Sequence, residues 1–401
     1  MKISKRASSV SPSLTLEITA KANKLKSEGV DVVSFGAGEP DFNTPDFIID
    51  AAKAALDCGK TKYTPAAGTL SLRKAIVNKL ERENGLKYEP DEIVVSNGAK
   101  HCLHNALQAI LDPGDEVVIP APYWLTYPEL VKISDGVPVF VQTKEEDDFR
   151  LTVEELEKAV TDRTRAVIIN TPNNPTGAVY SEEELKKLAE VVLKRDGIYI
   201  ISDEIYEHLV YDGAKPVSIA SFSDEIKNRT IIVNGVSKTF SMTGWRIGYT
   251  ASNRTVAKAI SGLQSHETSN PNTPAQYATE AALCDGGHGG SFVKNMLKEF
   301  DERRLLLMKK LDGIEGINYV RPKGAFYVMM CVNNCFGKSS RGKKISTALD
   351  FANALLEEEN VAVIPCESFG APDYVRLSYA ISKRDIETGA DRIKSFVKHL
   401  N

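Results

Sequence analysis

"RAVIINTPNNPTGAVYSEEELKKLAEVVLKRDGIYIISDEIYEHL" occupies residues 165–209. Its two apolar runs, "RAVIIN" (165–170) and "IYIIS" (198–202), are short, rich in β-branched residues and free of polar alternation. Between them, "SEEELKKLAEVVLKR" carries helical spacing, and Ser181 with Glu184 fits a capping box at its start. A helix joining two strands makes them parallel, and continuous apolar runs predict a sheet covered on both faces. The same alternation recurs in "EIVVS" (92–96) before a helix over 100–111, in "EVVIP" (116–120), and in "VPVFVQT" after the helical "YPELVKISDG". The fold class is therefore α/β: a three-layer α/β/α unit with a mostly parallel sheet.

Past about residue 290 the texture changes. "SFVKNMLKEFDERRLLLMKKLDG" reads as one long helix, followed by "GAFYVMM", the helix "ISTALDFANALLEEE", "VAVIP", "YVRLSYA" and a last helix. This predicts a smaller α+β domain, with "CDGGHGG" (284–290) near the junction.

The 401 residues suffice for two domains, and the net charge of −4 offers no basic footprint for nucleic acid or a membrane surface. Six scattered cysteines read as reduced thiols. The first 22 residues lack a signal-peptide apolar core, no run reaches membrane-spanning length, and a cytoplasmic location is expected.

In an open parallel sheet, ligands bind beyond the carboxyl ends of the strands, so polar residues there hold the interest. Asp203 directly follows "IYIIS"; buried, it needs a cation or strong hydrogen bonds. It reads equally as the cap of a helix begun by "EIYEHL". Tyr206 could reach the same place. "NTPNNPTGAVY" (170–180) is an irregular loop offering Asn174, though such loops are often turns only. "SNGAK" puts Gly98, Ala99 and Lys100 at a strand–helix junction where backbone N–H groups can meet a phosphate. His101 and His104 have metal-compatible spacing but no accompanying ligand pattern, and no metal is expected. "VNGVSKTFSMTGWRIGY" offers Ser237 and Lys238 after a strand and Arg246 beyond them. A desolvated lysine near cations becomes an amine nucleophile. With an anion loop, a carboxylate and a phenol, it suits a Schiff-base cofactor such as pyridoxal 5′-phosphate (PLP). In "DYVRLSYA" (373–380), Arg376 lies within a half-buried strand and wants a planar anion, whether a ligand carboxylate or an internal salt bridge.

Taken in order, "GAGEPDFNTP", "GKTKYTPAAGTLSLRKAI", "VSNGAK", "DPGDEVVIPAPYW", "NTPNNPTGAVY", "SDEIYEHLVY", "VNGVSKTFSMTGWRIGY", "PKGAFYVM" and "VRLSYA" resemble the class I aminotransferases of PLP fold type I. The likeness is greatest to the bacterial-type aspartate and aspartate/prephenate aminotransferases and covers nearly the whole chain. It implies a large PLP-binding domain at 40–290 and a small domain made of 1–39 and 291–401. It also implies that Lys238 forms the imine with PLP, Asp203 pairs with the pyridine nitrogen, Tyr206 and Asn174 bond the ring oxygen, and Trp124 stacks on the ring. Gly98, Ala99, Lys100, Ser237 and Arg246 would surround the phosphate. Arg376 would clamp the substrate carboxylate with help from Asn174, beside Gly38. Tyr63 would reach the neighbouring subunit's phosphate, implying a homodimer with shared sites. The substrates would be amino acids and 2-oxo acids.

One departure concerns specificity. Animal and enteric aspartate aminotransferases use a second arginine for the distal carboxylate, and "LQSHETSNPNTPAQ" (263–276) has none. The resemblance offers Lys100 as a candidate instead, and Ser13 and Thr15 as contacts of a closing segment. The expected activity is aspartate:2-oxoglutarate transamination, with prephenate, aromatic or alanine-type preference as the alternative. A β-lyase or cyclopropane-carboxylate synthase would keep the same core residues. A regulator's sensor domain would need a DNA-binding module, for which the sequence has no helix-turn-helix or basic stripe.

Overall fold

The computed structural model describes residues 2–11, 14–284 and 288–401. Ser13 and the centre of the "CDGGHGG" junction fall outside them, as does the side chain of Thr15. Among the described residues, seven strands form the main sheet: β1 (Ile93–Ser96), β2 (Glu116–Ala121), β3 (Val137–Gln142), β4 (Thr164–Asn170), β5 (Tyr199–Asp203), β6 (Thr230–Gly235) and β7 (Gly248–Ala251). Their order is β1-β7-β6-β5-β4-β2-β3. Only β7 runs against its neighbours; the other pairings are parallel.

The alternation of side chains explains why the runs are apolar throughout. Val167, Ile169 and Ile200 face one layer, with Leu185, Leu188 and Val192 of the helix Glu182–Leu193. Ala166, Ile168 and Ile201 face the other, with Leu103 and Leu107 of the helix Ala99–Ile110 and Leu130 of the helix Thr126–Ile133. Each fully buried Val, Leu or Ile side chain among these contributes about 1.5–3 kcal/mol. The capping box at Ser181 forms as read, each partner bonding the other's backbone N–H. The segment after Asp203 makes turns rather than a helix, so the capping reading fails there.

The C-terminal part holds an antiparallel sheet of Ile364–Pro365, Tyr374–Ser378, Tyr327–Cys331 and Asn318–Tyr319, in that order. It packs against the long helix His288–Leu311 and the helices Ala348–Glu359 and Lys383–Lys398. The N-terminal segment joins it: Val33–Ser34 pairs in parallel with Val361–Ala362, and Phe35 O accepts from Ser378 N at 2.8 Å. Tyr374–Ser378 is buried almost end to end, so Arg376 lies deeper than a half-buried strand would place it.

Candidate active site

Asn170, Asp203, Ser237 and Lys238, from the carboxyl ends of β4, β5 and β6, line one cavity of about 710 Å³. Register sets Asn170 opposite Asp203, and parity puts both on the face of Ile168 and Ile201. Tyr127, on the helix covering that face, donates to Asp203 Oδ2 at 2.6 Å, and Ile205 N donates to Oδ1 at 3.3 Å. Burial pushes the Asp203 carboxyl up to about 6, against the downward pull of Tyr127, Ile205 N–H and Lys238. Asn170 Nδ2 donates to Asp203 O, while its Oδ1 accepts from Asn174 N, which ties the "TPNNPTG" loop to the same strand end.

Lys238 Nζ donates to the Gly38 carbonyl at 2.5 Å and lies 5.8 Å from the Tyr206 ring centre. Burial, reinforced by Arg376 and Arg246, pushes its ammonium down to about 8, although Glu39 and Asp203 oppose this. Such an amine is free in a far larger fraction near neutral pH than an ordinary lysine, and is half free as base or nucleophile at about pH 8. Tyr206 shares a hydrogen bond of 3.1 Å with Tyr327. Burial, first of all, holds the Tyr206 phenol well above its usual range, so it stays protonated.

One corner of the cavity, chemically suited to an anion, is built from two directions. Gly98, at φ 82°, caps the helix Ala99–Ile110 without a side chain, leaving its first N–H groups open to the cavity. Arg246, itself left-handed at φ 59°, reaches over from the start of β7. Its guanidinium donates to Thr243 O at 2.8 Å and Asn97 O at 3.1 Å. A Cβ on residue 98 would meet Arg246 Nη2 at 2.3 Å and displace the guanidinium, and the left-handed φ itself favours glycine. Lys100 Nζ rests 5.0 Å from the Trp124 ring, its pKa lowered by burial and by Arg246. Trp124 meets Tyr127 edge to face at 5.5 Å.

Opposite lies Arg376, 3% exposed, its guanidinium 4.3 Å from the Tyr327 ring centre. Nη1 donates to Asn174 Oδ1 at 3.0 Å, whereas the buried Nε and Nη2 have no partner. A planar fork with two open N–H groups matches a carboxylate.

The cavity thus brings together Gly38, Ala99, Lys100, Trp124, Asn174, Asp203, Tyr206, Ser237, Lys238, Arg246 and Arg376, with Gly98 immediately behind. Tyr63 is not among them; the residue is 89% exposed on the surface. Sequence reasoning missed Tyr127, Tyr327, Asn170 and Glu39. Tyr127 left no trace because it sits inside a helix that otherwise reads as core. Tyr327 had a weak signal, an aromatic in "GAFYVMM" followed by an apolar strand. Among the described residues, Glu83, Glu207 and His208 could in principle hold a cation, but the buried Lys79 ammonium already pairs with both carboxylates.

A mostly parallel sheet with helices on both faces, with a half-buried lysine and a buried carboxylate at its carboxyl edge facing a buried arginine of the C-terminal sheet, defines an α/β enzyme. The chain matches the family "Aminotransferase class I and II" over residues 30–393, and it belongs to that family; it is an aminotransferase of fold type I. It is 50% identical over 398 residues to the aspartate aminotransferase of Geobacillus stearothermophilus, covering 99% of both chains. It is likewise 50% identical to a probable aspartate/prephenate aminotransferase of Aquifex aeolicus, again over 99% of both. Among solved structures, the aspartate aminotransferase from Rhizobium meliloti superposes with a TM-score of 0.96 at 44% identity, covering 100% of both chains. The Thermus thermophilus enzyme with maleate gives 0.93 at 42%, covering 98% of this chain and 99% of that one.

Proposed function

We propose that the chain is a PLP-dependent aspartate:2-oxoglutarate aminotransferase working by two ping-pong half-reactions. The observation that carries this is Arg376, whose two unpartnered buried N–H groups share a cavity with Lys238 and Asp203. The residues fit PLP on their own chemistry: an amine of lowered basicity, a buried acid, and a glycine turn against an arginine. Lys238 would hold the carbonyl carbon, Asp203 the ring nitrogen, and Gly98, Ala99, Lys100, Ser237 and Arg246 the phosphate. Trp124 would cover the ring, and Tyr206 with Asn174 would serve the ring oxygen. PLP, when bound, supplies an electron sink for the charge that develops at the substrate Cα.

The chain's own groups do the rest. Arg376 grips the α-carboxylate through two N–H groups, and Asn174 fixes the plane of that fork through Nη1. Lys238 Nζ removes the proton from Cα in one half-reaction and returns one in the other. Asp203, ionised, would hold a proton at the ring nitrogen. Gly38 and Glu39 wall the site beside Lys238, where Glu39 accepts from Thr243 at 2.6 Å.

Aspartate is favoured because full-length relatives at about 50% identity bear that name and the Thermus enzyme was solved with maleate, a dicarboxylate. Prephenate stands second, supported by the Aquifex relative. We also read the chain as a cytoplasmic homodimer, with 40–290 as the cofactor-binding domain and Tyr63 serving the partner's site. Its exposed ring, six free cysteines, and the lack among the described residues of a helix fit to cross a membrane support that reading.

Borohydride reduction of the purified protein followed by peptide mass analysis is expected to find a pyridoxyl group on Lys238. An unlabelled Lys238 sinks the mechanism. Donor panels against 2-oxoglutarate, oxaloacetate and prephenate then test specificity; aspartate that fails to convert the cofactor to its amine form refutes the named activity.

A further inference from the structure

His101 belongs to none of the roles above, yet it touches the anion-binding turn. Its Nδ1 accepts from the backbone N–H of Asn97 at 3.2 Å, four residues back and outside the helix that carries it. That bond requires an unprotonated Nδ1, which places the ring hydrogen on Nε2, facing Glu267 Oε2 at 3.5 Å. His104 Nε2 lies 3.6 Å from the other oxygen of the same carboxylate. Glu267 ends the helix Arg254–Glu267, which packs along the helix Ala99–Ile110.

The position of Asn97 matters because its other backbone group, the carbonyl, receives Arg246 Nη2. The helix cap, Gly98, offers no side chain to hold the turn. Helix caps ordinarily secure such turns with a Ser, Thr or Asp oxygen. Here an imidazole from the first helical turn steadies the chain just before the cap instead, accepting from Asn97 N–H, and leaves the cap position to a glycine that Arg246 can approach.

We propose that His101 is a positioning residue for phosphate recognition: by accepting from Asn97 N–H while Glu267 fixes its tautomer, it holds the turn in the one shape in which Gly98 and Arg246 face the phosphate group. This rests on the PLP reading above. His101 touches neither cofactor nor substrate in that role; it acts through Asn97 and Arg246.

The test compares PLP with pyridoxal, which lacks the phosphate, by titrating the cofactor-free full chain and following Trp fluorescence; Trp124 lines the site. In the unaltered chain PLP should bind far more tightly than pyridoxal. If it does not, the cofactor assignment fails, independently of His101. His101→Ala should weaken PLP binding about tenfold, the scale of one backbone donor left without its partner, and change pyridoxal binding less than twofold. His101→Asn places Oδ1 at the same bond separation as Nδ1 and should restore PLP affinity to within about threefold of the parent. Should His101→Ala not fold, His101→Phe keeps a ring while removing the acceptor and carries the same comparison. Equal losses for PLP and pyridoxal, no loss for either, or no rescue by Asn would overturn the proposal.

Discussion

Tyr127 Oη and Asp203 Oδ2 lie 2.6 Å apart, both buried, and join the helix over the sheet to the end of β5. The phenol stabilises the ionised carboxyl, which burial alone would neutralise. Tyr127→Phe removes that donor, so the Asp203 pKa must rise further above about 6. Because the ionised form is the working one, the acidic limb of the kcat/KM profile should move to higher pH, by about one pH unit. Kinetics from pH 5 to 9 check this; an unmoved limb would detach Tyr127 from the chemistry.

The same carboxyl predicts an exchange of stability for function. Its folded-state pKa, about 6, exceeds the value of about 3.9 in an unfolded chain. The folded state therefore binds this proton more tightly, and the buried charge lowers stability above pH 6, a cost relieved as pH falls from 6 towards 4. Asp203→Asn should stabilise the cofactor-free chain at pH 7.5 by on the order of 1–3 kcal/mol and abolish most transamination. Thermal melts alongside assays decide it; a lower melting midpoint for the variant would contradict the reading.

Lys238 should titrate early. With its pKa lowered to about 8, the rate at which the cofactor-free chain captures pyridoxal should climb through a midpoint near pH 8. Stopped-flow absorbance measures it, and a midpoint near 10 would show that burial does not depress the Lys238 ammonium.

Arg376→Lys keeps the charge and loses the planar fork. Nζ can satisfy Asn174 or one carboxylate oxygen, but not the arrangement that Nε and Nη2 offer. KM for the amino acid should rise on the order of 100-fold, equivalent to about 3 kcal/mol. Half-reactions with single donors read this directly, and a KM within a few-fold of the parent would remove Arg376 from carboxylate binding.

Gly98→Ala should push Arg246 aside, since the new methyl would overlap Nη2 and the residue must stay at φ 82°. A PLP affinity reduced by about tenfold or more, with pyridoxal affinity nearly kept, is the expected pattern.

Much of this architecture could be read in advance for a definite reason. Parallel strands buried on both faces must be apolar throughout, so Asp203, Asn174 and Lys238 stood out as polar groups where the runs stop. Arg376 stood out within a strand for the same reason. Tyr127 and Asn170 did not, because their importance comes from register and from a helix crossing the sheet, neither of which periodicity reports. The helical spacing after Asp203 does not prevail: "EIYEHL" is periodic enough for a helix, but Glu204 and Glu207 turn inward to Ser218 and Lys79, and those buried bonds override it.

The reversed strand β7 has a consequence for how the molecule is made. Because it runs against β1 and β6, its first residues emerge at the edge where theirs end, and Arg246 meets the Asn97 turn across a separation of 149 residues. The two halves of that corner meet only when β7 has closed between β1 and β6, strands far apart in the chain. A chain still growing on the ribosome has its glycine turn long before the arginine that completes the phosphate corner. Binding is thereby reserved for molecules whose sheet is complete, and the slow, non-local step of folding is also the one that cofactor capture would lock.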